Sequence, residues 1–159
     1  MNFRRGVRIG LDVGSVRVGV ARTDPDGILA VPVTTLKRHG AKQDIDELAA
    51  LIIDYEPLEI VVGLPVTLRG ESGLAAEAAV AYAYDVHNSL VGNQVLVPIR
   101  LIDERMSTSQ AHRQLQSAGR DSRKGRSVVD QAAAVIIVQQ AVDQERATGV
   151  PPGRLLELT

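Results

Sequence analysis

Asp12, Asp103, Glu104 and Asp130 each stand at the end of, or beside, an apolar run. Acids delivered from separate elements to one point are how proteins hold divalent metals for phosphodiester chemistry. Without a counter-ion such a cluster is unstable, because two unit charges ~4 Å apart repel by about 4 kcal/mol at an effective dielectric near 20. Oxygen-only ligands select hard ions, so Mg²⁺ or Mn²⁺ is the expectation. A pair of such ions, about 3.5–4 Å apart, would let one activate water and the other stabilise the departing 3′ oxygen, with Asp12 bridging both. Nothing in the chain competes for a softer metal: there is no cysteine, and His39, His87 and His112 are scattered without ligand spacing. The missing cysteines also exclude disulfides and thiol nucleophiles. Neither a Walker loop nor a nucleophile-elbow pattern is present.

Charge points to a polyanionic partner. The chain of 159 residues has a formal net charge of −1, but the charge is unevenly spread. Between positions 105 and 126, Arg105, Arg113, Arg120, Arg123, Lys124 and Arg126 face only Asp121, a local balance of +5 against −6 for the remainder. A basic surface on an acidic body is an electrostatic footprint for nucleic acid. Phosphate contacts from Arg120, Arg123, Lys124 and Arg126, read as a flexible loop, would raise affinity without choosing a sequence. One Phe and three Tyr are too few for an extended base-stacking platform, which favours recognition of backbone shape.

The elements that must position these residues follow from periodicity. Residues 7–13 alternate as a strand, with Val7, Ile9, Leu11 and Val13 on one face and Arg8, Gly10 and Asp12 on the other. Gly14-Ser15 reads as a two-residue type II′ hairpin. It leads to a strand at 16–23, and after the Asp24-Pro25-Asp26-Gly27 turn a third strand spans 28–36. Helix and strand then alternate: helix 43–55, strand 59–64 halted by Pro65, a loop over 67–73, helix 74–90, strand 94–102, a short helix 107–117 and a last helix from about 128 to 146. Residues 148–159, with Gly149, Pro151, Pro152 and Gly153, read as a flexible tail, leaving one domain over residues 1–147. The fold class is α/β, with a mixed five-stranded sheet whose first three strands are antiparallel, flanked by helices. No signal-peptide core or membrane-length apolar run occurs, so a soluble, cytoplasmic protein is expected.

Geometry gathers three of the acids. On a helix, Asp130, Ala133, Ala134, Ile137 and Ala141 fall within about 60° of one another. That stripe of small residues can press closely on the sheet and bring Asp130 over the end of the first strand. Glu104 lies just past a strand end, where sites in α/β sheets open. Asp103 is an equal candidate on the residues alone, since a slip of one position exchanges the faces. Arg105 would hold a phosphate or pair with one of the acids. Ser107 and Thr108 would contact phosphate or cap the helix that follows.

Four segments in order resemble the YqgF/RuvX family of pre-16S rRNA nucleases and Holliday junction resolvase-like proteins, within the ribonuclease H-like fold. They are Leu11-Asp12-Val13-Gly14-Ser15-Val16-Arg17-Val18-Gly19-Val20-Ala21; Val62-Gly63-Leu64-Pro65 with Gly70 and Gly73; Asp103-Glu104-Arg105-Met106-Ser107-Thr108; and Val129-Asp130-Gln131-Ala132-Ala133-Ala134-Val135-Ile136-Ile137. The resemblance implies that Asp12, Glu104 and Asp130 are the catalytic and metal-binding triad, and it selects Glu104 over Asp103. It implies 5′-end processing of pre-16S rRNA, with Holliday junction cleavage as the alternative. Junction cleavage needs two sites on opposed strands and hence a homodimer, for which the alanine-rich helix 74–90 is either an interface or a core element. Two rival classes are an actin-like ATPase, which nucleotide binding would reveal, and a non-catalytic nucleic-acid or protein-binding module, which would be indifferent to metal.

Overall fold

The computed structural model describes residues 3–40, 42–65, 73–104 and 122–157, with side chains in the last segment from residue 129 onward. The expected helix 107–117, and Arg105, Ser107, Thr108, Gly70 and Arg120, lie outside the described residues.

Among the described residues six strands form one sheet: β1 (Arg8–Val13), β2 (Arg17–Thr23), β3 (Ala30–Lys37), β4 (Glu59–Leu64), β5 (Ile99–Asp103) and β6 (Arg154–Leu155). Their spatial order is β3-β2-β1-β4-β5-β6. The first three are antiparallel, β1, β4 and β5 are mutually parallel, and β6 returns antiparallel to β5. Helices α1 (Gln43–Tyr55) and α2 (Leu74–Gly92) cover one face, and α3 (Ser122–Thr148) crosses the other. Ile9, Leu11, Val18, Val20, Ile60 and Val62 supply the sheet side of the α1/α2 core. Tyr82, Ala83 and Val86 of α2 sit in that core, so the alanine-rich helix is a core element. Among the described residues no helix is long and apolar enough to cross a membrane.

Several boundaries depart from expectation for local reasons. The β1–β2 register pairs Val13 with Val18, and Gly14 N–H donates to the Arg17 carbonyl at 2.9 Å. The hairpin tip is therefore Ser15-Val16, one residue later than expected, and Gly14 is not among the positive-φ glycines. Strand β3 starts at Ala30 because the Asp24 carboxylate accepts the Ile28 and Leu29 N–H groups, each at 2.7 Å. Strand β5 starts at Ile99, not 94. Gln94 adopts a left-handed φ of 63° and the Val95 N–H donates to Leu90 at 2.9 Å, so those residues close α2 instead. The last helix begins at Ser122, which moves Arg123, Lys124 and Arg126 from the expected loop onto α3.

The tail also corrects expectation. Leu156 is 6% exposed within the main core, its N–H donates to Ile99 at 2.8 Å, and the Tyr84 hydroxyl donates to the Glu157 carbonyl. Gly153, at φ 62° and pressed against the Leu101 carbonyl, turns the chain into β6. The sheet therefore has six strands, and residues 154–157 are docked on it.

Three glycines let α3 lie directly on the sheet. A Cβ at Gly10 of β1 would stand 2.7 Å from Val138 Cβ, and one at Gly63 of β4 would stand 2.5 Å from Ile137 Cδ1. At Gly19 of β2 a Cβ would overlap the Asp130 carbonyl. The expected stripe faces this track, with Ala133, Ala134, Ile137 and Ala141 all buried. At the far end of α3, Glu145 accepts from Arg4 at 2.6 Å and Arg8 at 3.2 Å, while Glu59 binds Arg4 and Arg100, both at 2.9 Å. Arg8, Glu59 and Glu145 are each 1% exposed, and this buried network pins that end of the helix to the sheet.

Candidate active site

Asp12 is the penultimate residue of β1, and alternation turns it with Arg8 and Gly10 toward α3. Its cross-strand partner is Gly19, the position on which the Asp130 backbone rests. The absent side chain at Gly19 is what admits the first turns of α3 to this end of the sheet. Arg17, two residues before Gly19 on the same face, donates from Nε to Asp130 Oδ2 at 2.9 Å.

Glu104 arrives from the other side. Its N–H donates to the Leu64 carbonyl at 3.1 Å, which carries the β4–β5 ladder one step past the strand. Residues 100, 102 and 104 therefore face α3, whereas Asp103 pairs with Leu64 on the opposite face and is exposed. Glu104 is 7% exposed and, among the described residues, its Oε2 has no hydrogen-bond partner. A Cβ on Gly63 would come within 2.9 Å of that oxygen, so the third glycine of the track also makes room for this carboxylate.

The acids feel one another. Burial, reinforced by the negative charge of Asp130, pushes the Asp12 carboxyl up to about 7. Burial, reinforced by Asp12, pushes Glu104 up to about 8. Among the described residues, however, no three His, Asp or Glu side chains are gathered tightly enough to enclose an ion. Charge couples Glu104 to Asp12 and Asp12 to Asp130, and an Asp130 oxygen is committed to Arg17. The residues fit a divalent cation even so. Two neighbouring desolvated carboxylates, one with an unpartnered oxygen, form a hard-donor pair whose charged state a cation would stabilise.

Arg17 was not singled out from sequence. Its signal was available, because strand alternation places residues 17, 19 and 21 on the face that Asp12 shares. Arg123, Lys124 and Arg126 stand on the first turns of α3, the helix that carries Asp130.

Comparison with known proteins agrees with this architecture. The sequence model described as "RuvX: Holliday junction resolvase" matches residues 6–144. A relative from Thermobifida fusca named "Putative pre-16S rRNA nuclease" is 46% identical, covering 99% of both chains. One of the same name from Streptomyces coelicolor is 47% identical over 98% of this chain and 91% of its own. A solved Thermus thermophilus RuvC in complex with a Holliday junction substrate superposes with a TM-score of 0.58 at 17% identity, covering 92% of this chain and 99% of that one. That likeness fixes the ribonuclease H-like fold and nothing finer. With the family pattern matched from residue 6 to residue 144 and relatives close to half identical along almost their whole length, this chain is a member of the RuvX family.

Proposed function

We propose that this protein is a metal-dependent nuclease that hydrolyses phosphodiester bonds in structured nucleic acid, and that its role is 5′-end processing of pre-16S rRNA in the cytoplasm. The carrying observation is half-buried Asp12 beside buried Glu104, whose raised pKa values, with a Glu104 oxygen unpartnered among the described residues, leave the pair short of positive charge. The names of the full-length relatives support the substrate class.

Asp12 and Glu104 would hold Mg²⁺ or Mn²⁺, with Asp130, now paired with Arg17, as the third acid of the set. Two bound ions would supply positive charge to the acids, a water of lowered pKa and stabilisation of the departing oxygen. Asp12 is the acid coupled electrostatically to both of the others. Arg17, paired with Asp130, is placed to meet a non-bridging phosphate oxygen, as a planar guanidinium does well. Arg105, Arg120, Arg123, Lys124 and Arg126 draw the strand in through its phosphates. Water adds at phosphorus, the P–O3′ bond breaks, and the leaving oxygen ends protonated.

The description of the family's sequence model favours a second reading, four-way DNA junction resolution, which would need two copies acting on opposed strands. Purified wild type and Asp12→Asn should be incubated with a labelled pre-16S 5′ leader and with a four-way junction, each with Mn²⁺ and with chelator. Cleavage by wild type alone, only with metal, is expected, and the preferred substrate selects the role. Binding without cleavage of either would replace the nuclease by a non-catalytic module.

A further inference from the structure

A cavity of about 510 Å³ opens beside the hairpin that follows Asp12, lined by Val13, Gly14, Ser15, Arg38, His39 and the small residues Ala75 and Ala78 of α2. Its volume is in the range of small-ligand sites. Gly14 is two residues past Asp12, about 7 Å along an extended strand, so the cavity opens at the same end of the sheet as the acids, on the opposite, α2 face.

Arg38 is the charged group on its wall, and it is held in place. The guanidinium lies over the Tyr82 ring, 4.9 Å from the centroid, and Nη1 donates to the Gly14 carbonyl at 3.0 Å. Its own backbone N–H donates to Val16 at 2.8 Å. The seat is itself braced, because buried Tyr82 donates its hydroxyl to Asp44 Oδ2 at 2.9 Å and the His39 N–H donates to Asp44 Oδ1 at 3.2 Å. Asp44 feels the Arg38 charge but makes no ion pair with it, and among the described residues no carboxylate lies within ion-pair distance of Arg38. Among the described residues one of its five donors is used. A guanidinium that is pre-positioned, unpaired and at the mouth of a cavity with small apolar walls suits a phosphate attached to a flat, partly apolar body.

We infer that this cavity receives one nucleotide of the bound nucleic-acid strand, adjacent to the cleaved bond, with its phosphate on Arg38 and its sugar and base against Val13, Ala75 and Ala78. The inference rests on the nuclease reading and names a subsite for it. Binding of a labelled pre-16S 5′ leader and a four-way DNA junction should be followed in chelator by fluorescence anisotropy over a salt series, for wild type, Arg38→Ala and Ala78→Phe. Exposed Ala78 tolerates a larger side chain, so Ala78→Phe fills the cavity without removing charge, and its melting temperature should match wild type. Each variant should weaken binding of the preferred ligand about tenfold. The salt dependence should become shallower by about one phosphate contact in Arg38→Ala alone. Unchanged affinity in Ala78→Phe overturns the cavity, even where Arg38→Ala binds weakly. ATP that saturates the cavity, loses affinity in Ala78→Phe and leaves strand binding unaffected would make it a free-nucleotide site and overturn the inference too. Strand binding that both variants weaken, in a wild type that never cleaves, supports the subsite while sinking the nuclease. A wild type that neither binds nor cleaves overturns both.

Discussion

Replacing Gly19 with alanine tests whether the glycine track sets the active-site geometry. The added Cβ would overlap the Asp130 carbonyl carbon and oxygen and stand 3.1 Å from its Cα. Ordinary contact begins at 3.4 Å, and the obstacle is helix backbone, which cannot rotate aside as a side chain can. Relief requires α3 to lift from the sheet by roughly 1 Å or more, and overpacking of this kind costs about 1–3 kcal/mol. In a domain of this size that lowers the melting temperature by roughly 2–12 °C. The lift carries Asp130 away from Asp12, and ~1 Å of misplacement costs on the order of 100-fold in rate. Gly63→Ala should cost less stability, since its nearest contact is the movable end of Ile137, yet it crowds Glu104 Oε2 at 2.9 Å and should still lower activity. Gly92→Ala is the control: nothing lies within 4 Å of its Cβ, and alanine in the last turn of α2 should be neutral or stabilising by up to about 1 kcal/mol. Thermal melts and turnover on the preferred substrate read both effects. Gly19→Ala that melts and turns over like Gly92→Ala would refute the close-approach argument.

Three other outcomes are expected. Asp12 and Glu104 have ordinary values of 3.8 and 4.5 but hold their protons up to about 7 and about 8 when folded; the folded state then binds more protons, and metal-free stability present in acid is lost as pH rises through that window, by a few kcal/mol. Calorimetric melts from pH 5 to pH 9 should show this decline, Mg²⁺ should cancel it, and a metal-free curve flat in pH would contradict it. Glu145→Ala strands the buried Arg8 and should destabilise by about 3–5 kcal/mol, on the order of 10 °C in a thermal melt; a loss under 2 °C would show that Arg8 finds other compensation. Neutralising Arg123, Lys124 and Arg126 together should weaken nucleic-acid binding and reduce its salt slope by roughly three contacts, whereas an unchanged slope would remove these residues from the interface.

Periodicity alone was enough for the two elements whose patterns are long or bounded, α1 (Gln43–Tyr55) and β4 (Glu59–Leu64), which match expectation residue for residue. It also oriented Asp12, because alternation from Val7 to Val13 leaves no choice of face, and it put Asp130 on the small-residue stripe that meets the sheet. Beyond that reach lay whatever depends on partners distant in the chain. A two-residue strand has no period, so β6 becomes visible only when Leu101 and Arg100 are there to pair with it. Glu104 and Asp103 differ by one position, and only the β4–β5 register, ending in the Glu104-to-Leu64 hydrogen bond, decides which faces Asp12. The Arg17–Asp130 salt bridge and the Arg38 seat over Tyr82 join residues 113 and 44 positions apart. Local sequence supplies the side chains and their faces. Proximity across the sheet, fixed by packing against Gly10, Gly19 and Gly63, turns them into a site.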